Sequence, residues 1–429
     1  MLGNADIVKL AEDLLTERFG GTQSLTQEGV LAGSGSSTVL RCRVAAQPFF
    51  QQRTVVVKYS PATGDLLDNA ALIREIVSYQ FTTSLPEEVR PGPQLLAYSV
   101  DNRIVVISDS GTGDTFEELL ETADADKRFQ LLRSLGHAIG RMHAGTAHRE
   151  AAFDILNARM LTRYPDTKEL SGLRDESLLV AIDSGVELLE NSGIAVSPTV
   201  RQFAADAKRR LSSGQHRAFT PFDLSPDNIL YAGKTHFLDY EWAGFRDATF
   251  DVACVIAGFP QFLTGRNISP EEVDGFVRAW VSEVKGMWPN FTNPDRLQAR
   301  IVTALIGWAL ASVTYLFYGS MNHMLGHFSE TELGGDGGDG AIPTAEAEAL
   351  ATASASPDPD YDLLAGSSID SILNEGGLAR KDLLETFEAI ESYTSTGSDP
   401  RLPQVREFAA AVVARLSQLS ARPVTPPSL

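Results

Sequence analysis

The sequence predicts an α+β fold in two lobes, with an antiparallel sheet and one helix in the N-terminal lobe and mainly helices in the C-terminal lobe. Three observations lead to this prediction. Short β-rich runs recur between residues 30 and 108, and apolar residues recur at helical spacing through much of the later chain. A short hairpin with acidic residues at its open end lies within residues 219–251. These acidic residues restrict the function more than any other part of the sequence.

The N-terminal lobe is predicted from the order of its elements. An amphipathic helix over Ala5–Phe19 precedes two β-like runs joined by a loop of small residues. The loop residues are Gly33, Ser34, Gly35, Ser36 and Ser37. Such a loop lets backbone N–H groups approach phosphates, although an ordinary hairpin loop has the same composition. A β-branched strand over Thr54–Tyr59 then carries Lys58, and a helix over Leu72–Phe81 carries Glu75.

The acidic hairpin is predicted from two β-rich arms, Ile229–Tyr231 and Thr235–Leu238, around a turn centred on Gly233. Asn228 lies five residues before Gly233, and Asp239 lies six residues after it. Because antiparallel arms of nearly equal length end side by side, we expect both side chains within reach of one ion. Two oxygen ligands suit Mg²⁺, which fills its octahedron with water and phosphates.

Asp223 adds a carboxylate five residues before Asn228, in a loop that Pro221 and Pro226 keep out of helix. Kinases use this arrangement for phosphoryl transfer: an Asp accepts the proton of the substrate hydroxyl, an Asn holds metal, and a later Asp bridges the metal to the phosphates. The alternative is a surface hairpin with scattered acidic residues. The kinase interpretation is preferred because spacing, residue type and hairpin geometry agree.

This segment resembles the aminoglycoside phosphotransferase and choline kinase superfamily, the protein-kinase-like small-molecule kinases. The core of that superfamily reads His-Gly-Asp, four residues, Asn, and then an Asp after a hairpin. Asp223, Asn228 and Asp239 match these positions, and Asp251 matches the Asp that begins the next helix of the family. The run LDYEWAGFRDATFD is closer to choline-kinase-like members than to protein kinases. The resemblance covers roughly residues 25–320, and the fold it implies is the two-lobed protein-kinase-like fold.

The resemblance implies an ATP- and Mg²⁺-dependent enzyme that moves the γ-phosphate to a hydroxyl of a small molecule, such as an aminoglycoside, an amino alcohol such as choline, or a sugar-like metabolite. Asp223 is then the catalytic residue, and Asn228 and Asp239 are the metal ligands. Lys58 contacts the phosphates and pairs with Glu75, as in the Lys–Glu pair of the family. The hinge that holds the adenine edge falls at Ile107, Ser108 and Asp109. The small-residue loop Gly33–Ser37 completes the nucleotide site.

One departure from the family affects the expected activity. Pro221 and Phe222 stand where the family usually has His and Gly. The resemblance implies that this His supports the loop instead of taking part in the chemistry, so we expect an active enzyme. The departure favours one alternative, a catalytically weak nucleotide-binding pseudokinase with a scaffold or sensor role. A protein kinase fits less well, because Asp251 follows Asp239 by only twelve residues and leaves no room for an activation segment.

The acceptor is the part of the function that the sequence restricts least. Glu241 and Trp242 follow Asp239 closely, and a predicted helix over 297–320 carries Trp308 and Tyr315 on one face. Such aromatic side chains would bind an ammonium group through cation–π contacts, or they would simply pack in the core. The sequence therefore leans towards a positively charged hydroxyl compound and leaves a neutral sugar open.

Two lobes are expected from this assignment, a nucleotide-binding lobe over 1–109 and a helical lobe over 110–429. The second lobe contains the catalytic loop (219–251), an acidic, Gly- and Ala-rich segment at 329–362 that we expect to be a mobile insertion, and final helices near 380–393 and 402–419.

Composition excludes several classes of function. The net charge of −20 disfavours nucleic-acid and anionic-membrane binding, which need basic surface. The N-terminal residues carry charges and do not read as a signal peptide, and we found no uninterrupted apolar run long enough to span a membrane. Two cysteines are too few for a disulfide framework or a zinc site. We therefore expect a cytoplasmic protein.

Overall fold

The structure is a computed structural model that describes residues 2–31, 37–48, 50–64, 67–261, 267–319, 324 and 376–420. The loop residues Gly33, Ser34, Gly35 and Ser36 and the expected insertion at 329–362 lie outside the described residues. The chain forms two compact units: Met1–Gly172, His216–Asp251 and Asp274–Pro289 make the first, and Leu173–Gln215, Val252–Val273 and Asn290–Leu429 make the second. The expected lobe boundary after residue 109 stays a prediction.

The first unit begins with helix α1 (Asn4–Phe19) and a five-stranded antiparallel sheet. Its strands are β1 (Leu25–Leu31), β2 (Thr38–Val44), β3 (Thr54–Tyr59), β4 (Leu95–Ser99) and β5 (Ile104–Ser108), in the spatial order β1-β2-β3-β5-β4. Helix α2 (Asp68–Thr83) lies between β3 and β4 in the chain and starts earlier than predicted. The predicted β-rich runs, the N-terminal helix and the helix that carries Glu75 are therefore confirmed.

The sheet has two chemically different faces because successive side chains of a strand point to opposite sides. One face packs against Ile7, Ala11 and Leu15 of α1 and contains a fully buried set: Leu40, Val55, Val57, Ile104 and Val106. On the other face Lys58 pairs across the sheet with Val39 on β2 and with Val105 on β5. The period of two thus forces Lys58 away from the hydrophobic core that holds its own strand in place.

The remainder of the first unit is mainly helical. It contains the short strand β6 (Asp114–Thr115) and helices α3 (Phe116–Thr122), α4 (Ala125–Thr146) and α5 (Glu150–Arg163). Further strands are β7 (Arg217–Thr220), β8 (Ile229–Tyr231), β9 (Thr235–Phe237) and β10 (Gly244–Asp247). Strands β7 and β10 pair with each other, and β6, β8 and β9 form a second small sheet. Both small sheets contain strands from the segment 219–251, which carries the acidic residues.

Three of the described helices have residues in both units: α6 (Lys168–Asn191), α8 (Thr249–Ile256) and α9 (Pro270–Val284). The second unit contains α7 (Pro198–Ser212), α10 (Pro294–Tyr318), α11 (Gly376–Tyr393) and α12 (Leu402–Ser420), and short 3₁₀ turns occur at Pro165–Thr167, Pro226–Asn228 and Pro289–Thr292. The two predicted final helices are present as α11 and α12.

Helix α10 is the centre of the second unit and packs against α7 and α11. Its length and apolar composition would allow it to cross a membrane, but 83% of its most apolar window is buried inside the protein, as in a core helix. Gly185 on α6 lies so close to it that a Cβ atom there would be 2.1 Å from the Leu310 carbonyl oxygen. With the antiparallel sheet in the first unit, this helical packing confirms the predicted two-lobed, kinase-like α+β fold.

Candidate active site

The acidic hairpin forms with the register that its sequence predicts. Ile229 pairs with Phe237 and Tyr231 pairs with Thr235, around a turn in which Gly233 has φ +78°. The Leu238 N–H continues the ladder by donating to the Asn228 carbonyl oxygen at 2.9 Å. Asn228 and Asp239 therefore leave the hairpin at the same end. Both are partly exposed, so neither side chain is closed off from a ligand.

Lys58 connects this hairpin end to α2. Its ammonium group donates to the Glu75 carboxylate at 2.9 Å and to the Asp239 carboxylate at 2.8 Å. Lys58 and Glu75 side chains are only 14% and 3% exposed, whereas Asp239 is 35% exposed. Burial alone would lower the pKa of Lys58, but the two carboxylates more than offset it and raise the pKa above its usual range. The lysine is therefore a permanent cation that two acids share.

Asp223 lies in the loop that follows β7. Its carboxylate accepts a hydrogen bond from the Ser225 N–H at 3.2 Å. The residue is partly exposed, yet protein atoms surround most of the carboxyl, and this desolvation raises its pKa to about 7. The Ser225 amide opposes the shift, while the charges of Asp239, Glu241 and Asp227 add to it. A carboxyl whose pKa lies near neutrality is suited to accept and release a proton at physiological pH.

Asp251 is fully buried at the start of α8 and is held by His143 of α4. The His143 Nε2 atom lies 3.1 Å from an Asp251 carboxylate oxygen, and the Trp280 indole N–H donates to His143 Nδ1 at 3.0 Å. Because an indole nitrogen can only donate, Nδ1 accepts and Nε2 carries the proton that faces Asp251. Burial raises the pKa of Asp251, and His143 opposes the rise.

The predicted hinge residues lie at the end of β5. Ile107 is buried and pairs with Val56 on β3, and the Ser108 N–H donates to the Gln94 carbonyl oxygen at 2.9 Å. The Asp109 carboxylate is engaged by Arg41 of β2, with two hydrogen bonds of 2.8 and 2.7 Å. Arg41 was not identified from the sequence, because an isolated arginine in a strand carries no signal of its partner.

Arg41 also donates to the Gly111 carbonyl oxygen at 2.6 Å, so it holds the chain on both sides of Ser110. The Gly111 N–H donates to Asp109 at 2.9 Å, and Gly111 has φ +94°, a conformation that few other residues adopt. Side-chain contacts thus fix the backbone of this segment from two directions. Ser37, the one described residue of the predicted phosphate loop, lies with its hydroxyl 3.2 Å from that of Ser60.

The predicted acceptor residues do not lie together in one element. Glu241 and Trp242 follow the hairpin and are partly exposed, and the negative charge of Glu241 helps to raise the pKa of Asp223. Trp308 and Tyr315 lie on α10 in the second unit, where Trp308 is buried (7% exposed) and Tyr315 is partly exposed.

Thr115, which follows the hinge segment in the chain, caps α3 through a reciprocal pair of hydrogen bonds with Glu118.

Asn228 and Asp239 fit a magnesium ion by the chemistry of their donor atoms. Among the described residues there is no group of three or more His, Cys, Asp or Glu side chains placed to hold a metal. Mg²⁺ does not need such a group, because it binds through one or two carboxylates and takes its other ligands from water and phosphates. An amide oxygen and a carboxylate at one end of a hairpin match that requirement.

This chain was compared with family models, with curated protein sequences and with solved structures. A model of the phosphotransferase enzyme family matches residues 93–296, which include Asp223, Asn228, Asp239 and Asp251 but neither Lys58 nor Glu75. No curated protein sequence matches this chain significantly. The predicted resemblance to the aminoglycoside phosphotransferase and choline kinase superfamily is confirmed over the matched segment.

Solved structures of such kinases are similar to this chain at low sequence identity. The choline kinase of Cryptosporidium parvum Iowa II is 7% identical with a TM-score of 0.46, covering 95% of this chain and 100% of its own. The streptomycin–ATP–APH(2")-IIa ternary complex is 11% identical with a TM-score of 0.41, covering 73% and 92%. Choline kinase LicA from Streptococcus pneumoniae is 15% identical with a TM-score of 0.39, covering 80% and 98%.

Proposed function

We propose that this chain transfers the γ-phosphate of ATP to a hydroxyl group of a small molecule, since residues 93–296 match a model of the phosphotransferase enzyme family. One observation carries the proposal: Lys58 contacts both Glu75 at 2.9 Å and Asp239 at 2.8 Å. A strand lysine that is fixed by a helix glutamate, next to the metal aspartate, is how kinases neutralise nucleotide phosphates. These two contacts join residues that are far apart in the chain into that one arrangement.

Asp223 is the residue that orients the acceptor hydroxyl and accepts its proton. Two features support this role: its carboxyl pKa of about 7 and the Ser225 N–H that limits its rotation. The transferred phosphoryl group needs little covalent help, so most of the acceleration comes from positioning and from electrostatic stabilisation. Lys58 supplies the fixed positive charge, and the hinge held by Arg41 positions the nucleotide base.

Asn228 and Asp239 would hold Mg²⁺, which when bound would neutralise the charge on the phosphate oxygens. Contacts within the chain already orient Asp239, one of these two proposed metal ligands. Asp239 adopts φ +54°, an uncommon conformation for a residue other than glycine, and Lys58 holds its carboxylate. Uncommon backbone conformations of this kind cluster at functional sites.

The acceptor is proposed to carry a positive charge. The negative charges of Asp227, Asp239 and Glu241 all act on Asp223, and Lys58 forms a salt bridge with Asp239. A cationic hydroxyl compound such as an amino alcohol or an aminoglycoside would complement this negative site. Trp242 would add an aromatic surface for the cation. Trp308 and Tyr315 stay proposed as acceptor contacts.

A screen for phosphate transfer tests the function directly. Labelled ATP is incubated with Mg²⁺ and acceptors from four classes: aminoglycosides, choline-like amino alcohols, homoserine-like metabolites and sugars. We expect transfer to at least one cationic acceptor and loss of transfer in Lys58→Met. Lys285→Met, which removes an exposed lysine at the end of α9, is the control. Nucleotide binding without transfer to any class would instead support the pseudokinase that Pro221 and Phe222 favour.

The cytoplasm is the proposed location. Cys42 and Cys254 are buried thiols that are not joined in a disulfide, which suits a reducing compartment, and a kinase needs the ATP that the cytoplasm contains.

A further inference from the structure

The residue before Asp223 has an uncommon backbone conformation. Phe222 has φ +67°, in the left-handed region, which is unfavourable for a residue that carries a side chain. The Asp223 N–H donates to the Pro221 carbonyl oxygen at 2.8 Å and so closes a three-residue turn around Phe222. Turns of this type with positive φ are rare and strained. Glycine would adopt this conformation without strain, so a phenylalanine here needs other contacts to hold it.

Arg246 provides such a contact. Its guanidinium carbon lies 4.5 Å from the centre of the Phe222 ring. Arg246 is 5% exposed, Phe222 is 7% exposed, and Phe250 packs on the same ring at 6.4 Å. A cation over an aromatic face is worth most when both are removed from water. The stack is therefore placed where it can offset the strain of the turn.

Arg246 is itself fixed on the strand that pairs with the approach to the catalytic loop. It lies opposite Ala218 in the β7–β10 pair, and one of its nitrogens donates to the Trp242 carbonyl oxygen at 2.9 Å. The positive charge of Arg246 also acts on Asp251 and opposes the rise in the pKa of that carboxyl. The same strand pair thus carries Phe222, two residues past the end of β7, and the cation that covers it.

We infer that Arg246 is a positioning residue, which stacks on Phe222, holds the strained turn and so fixes the direction of the Asp223 carboxylate. The inference rests on the proposed function, in which Asp223 accepts the proton of the acceptor. It assigns to Pro221, Phe222 and Arg246 the loop-supporting task that a His-Gly pair would otherwise perform. In this chain an arginine from β10 supports the turn from outside the loop.

The test combines kinetics with unfolding in urea. Arg246→Met should lower kcat by about tenfold, or roughly 1.4 kcal/mol, while the KM for ATP changes less than about twofold. Arg246→Lys keeps a cation over the ring and should recover part of the loss. Phe222→Ala and Phe222→Gly both remove the ring, but only glycine also removes the strain. Phe222→Gly should therefore unfold at the higher urea concentration and keep the higher kcat, by about fivefold.

Two matched controls separate positioning from packing. Leu224 is equally buried in the same loop but has negative φ, so Leu224→Gly should unfold before Leu224→Ala, the opposite order to that at Phe222. Arg401 lies over the Phe203 ring in the second unit, also at 4.5 Å. Arg401→Met should lower stability and leave kcat unchanged.

The inference is overturned if Phe222→Gly unfolds before Phe222→Ala, or if Arg246→Met behaves like Arg401→Met. The unfolding order needs no substrate, so it decides whether the turn is strained even in a chain that transfers no phosphate. Absence of transfer by the wild type would instead reject the proposed function. The two failures are therefore told apart.

Discussion

The two ends of the catalytic segment place their carboxylates in opposite environments. Asp239 leaves the hairpin towards a cation, with the Lys58 ammonium at 2.8 Å. Asp223 lies in the preceding loop, where burial and neighbouring acids raise its pKa to about 7 and an amide hydrogen bond opposes the shift. Among the described residues no salt bridge is recorded for Asp223. Two carboxylates of one site whose environments differ in this way usually have different tasks.

The same functional group thus lies in two environments, and this difference is the basis of the two roles proposed above. The Asp239 carboxylate forms a salt bridge with a lysine that is itself buried and held by Glu75. Asp223 forms no salt bridge among the described residues, and the turn at Phe222 sets the direction of its side chain. The backbone at both residues is unusual, since Phe222 and Asp239 have φ +67° and +54°. The following predictions are ways to remove or reverse the difference.

The largest effect is expected when Asp223, the proposed proton acceptor, is replaced. Asp223→Asn keeps the size of the side chain and the Ser225 contact but loses the base, so kcat should fall by about 10²–10⁴-fold. Calorimetry should find the affinity for ATP unchanged, because Asp223 is not a phosphate or metal ligand in this proposal. A kcat within threefold of the wild type would contradict the assignment.

The second-largest effect is expected at Asp239, the proposed metal ligand. Asp239→Ala should weaken Mg²⁺-dependent ATP binding by roughly 10²–10³-fold, because a charged ligand next to Lys58 is lost. Asn228→Ala removes a neutral ligand and should have a smaller effect. Asp206→Ala, which removes a carboxylate paired with Arg209 on α7, is the control for net charge. Calorimetry with and without Mg²⁺ measures all three, and equal affinity in Asp239→Ala would reject the metal role.

The third prediction tests whether Trp242 binds a cationic acceptor. A desolvated cation over an indole gains about 2 kcal/mol, so Trp242→Leu should raise the KM for a cationic acceptor by roughly thirtyfold. The KM for ATP should barely change. Trp288→Leu is the control, since Trp288 is 5% exposed and packs on His216, where its loss affects stability. A preference for a neutral sugar, or a change in stability alone, would reject the cation hypothesis and leave the kinase proposal intact.

The smallest effect comes from pH. Because the Asp223 pKa is raised to about 7, the carboxyl is protonated below that pH and can no longer accept a proton. The kcat should therefore fall about tenfold per unit as pH decreases below 7 and level off above it. Asp223→Asn should lose this dependence. ATP affinity measured over the same pH range shows whether the Lys58–Glu75 pair also titrates, and a flat kcat profile in the wild type would contradict the role of Asp223.

Much of the hairpin could be predicted from the sequence because its geometry is local. The β-rich arms and the glycine turn fix which residues pair, so counting from Gly233 was enough to bring Asn228 and Asp239 to one end. The helices followed in the same way from apolar spacing, including the two C-terminal ones. The pairing of Lys58 with Glu75 came from a resemblance to a family and was found in the structure at 2.9 Å.

The sequence by itself determined the local elements and the types of residue at the site. Only the tertiary structure decided which distant residues support them: His143 meets Asp251, which lies 108 residues away, and Arg41 meets Asp109, 68 residues away. It also decided that Phe222 is left-handed and covered by Arg246. The physical reason is that a strand or turn preference depends on neighbours within a few residues, whereas burial and side-chain partners depend on the packing of the whole unit.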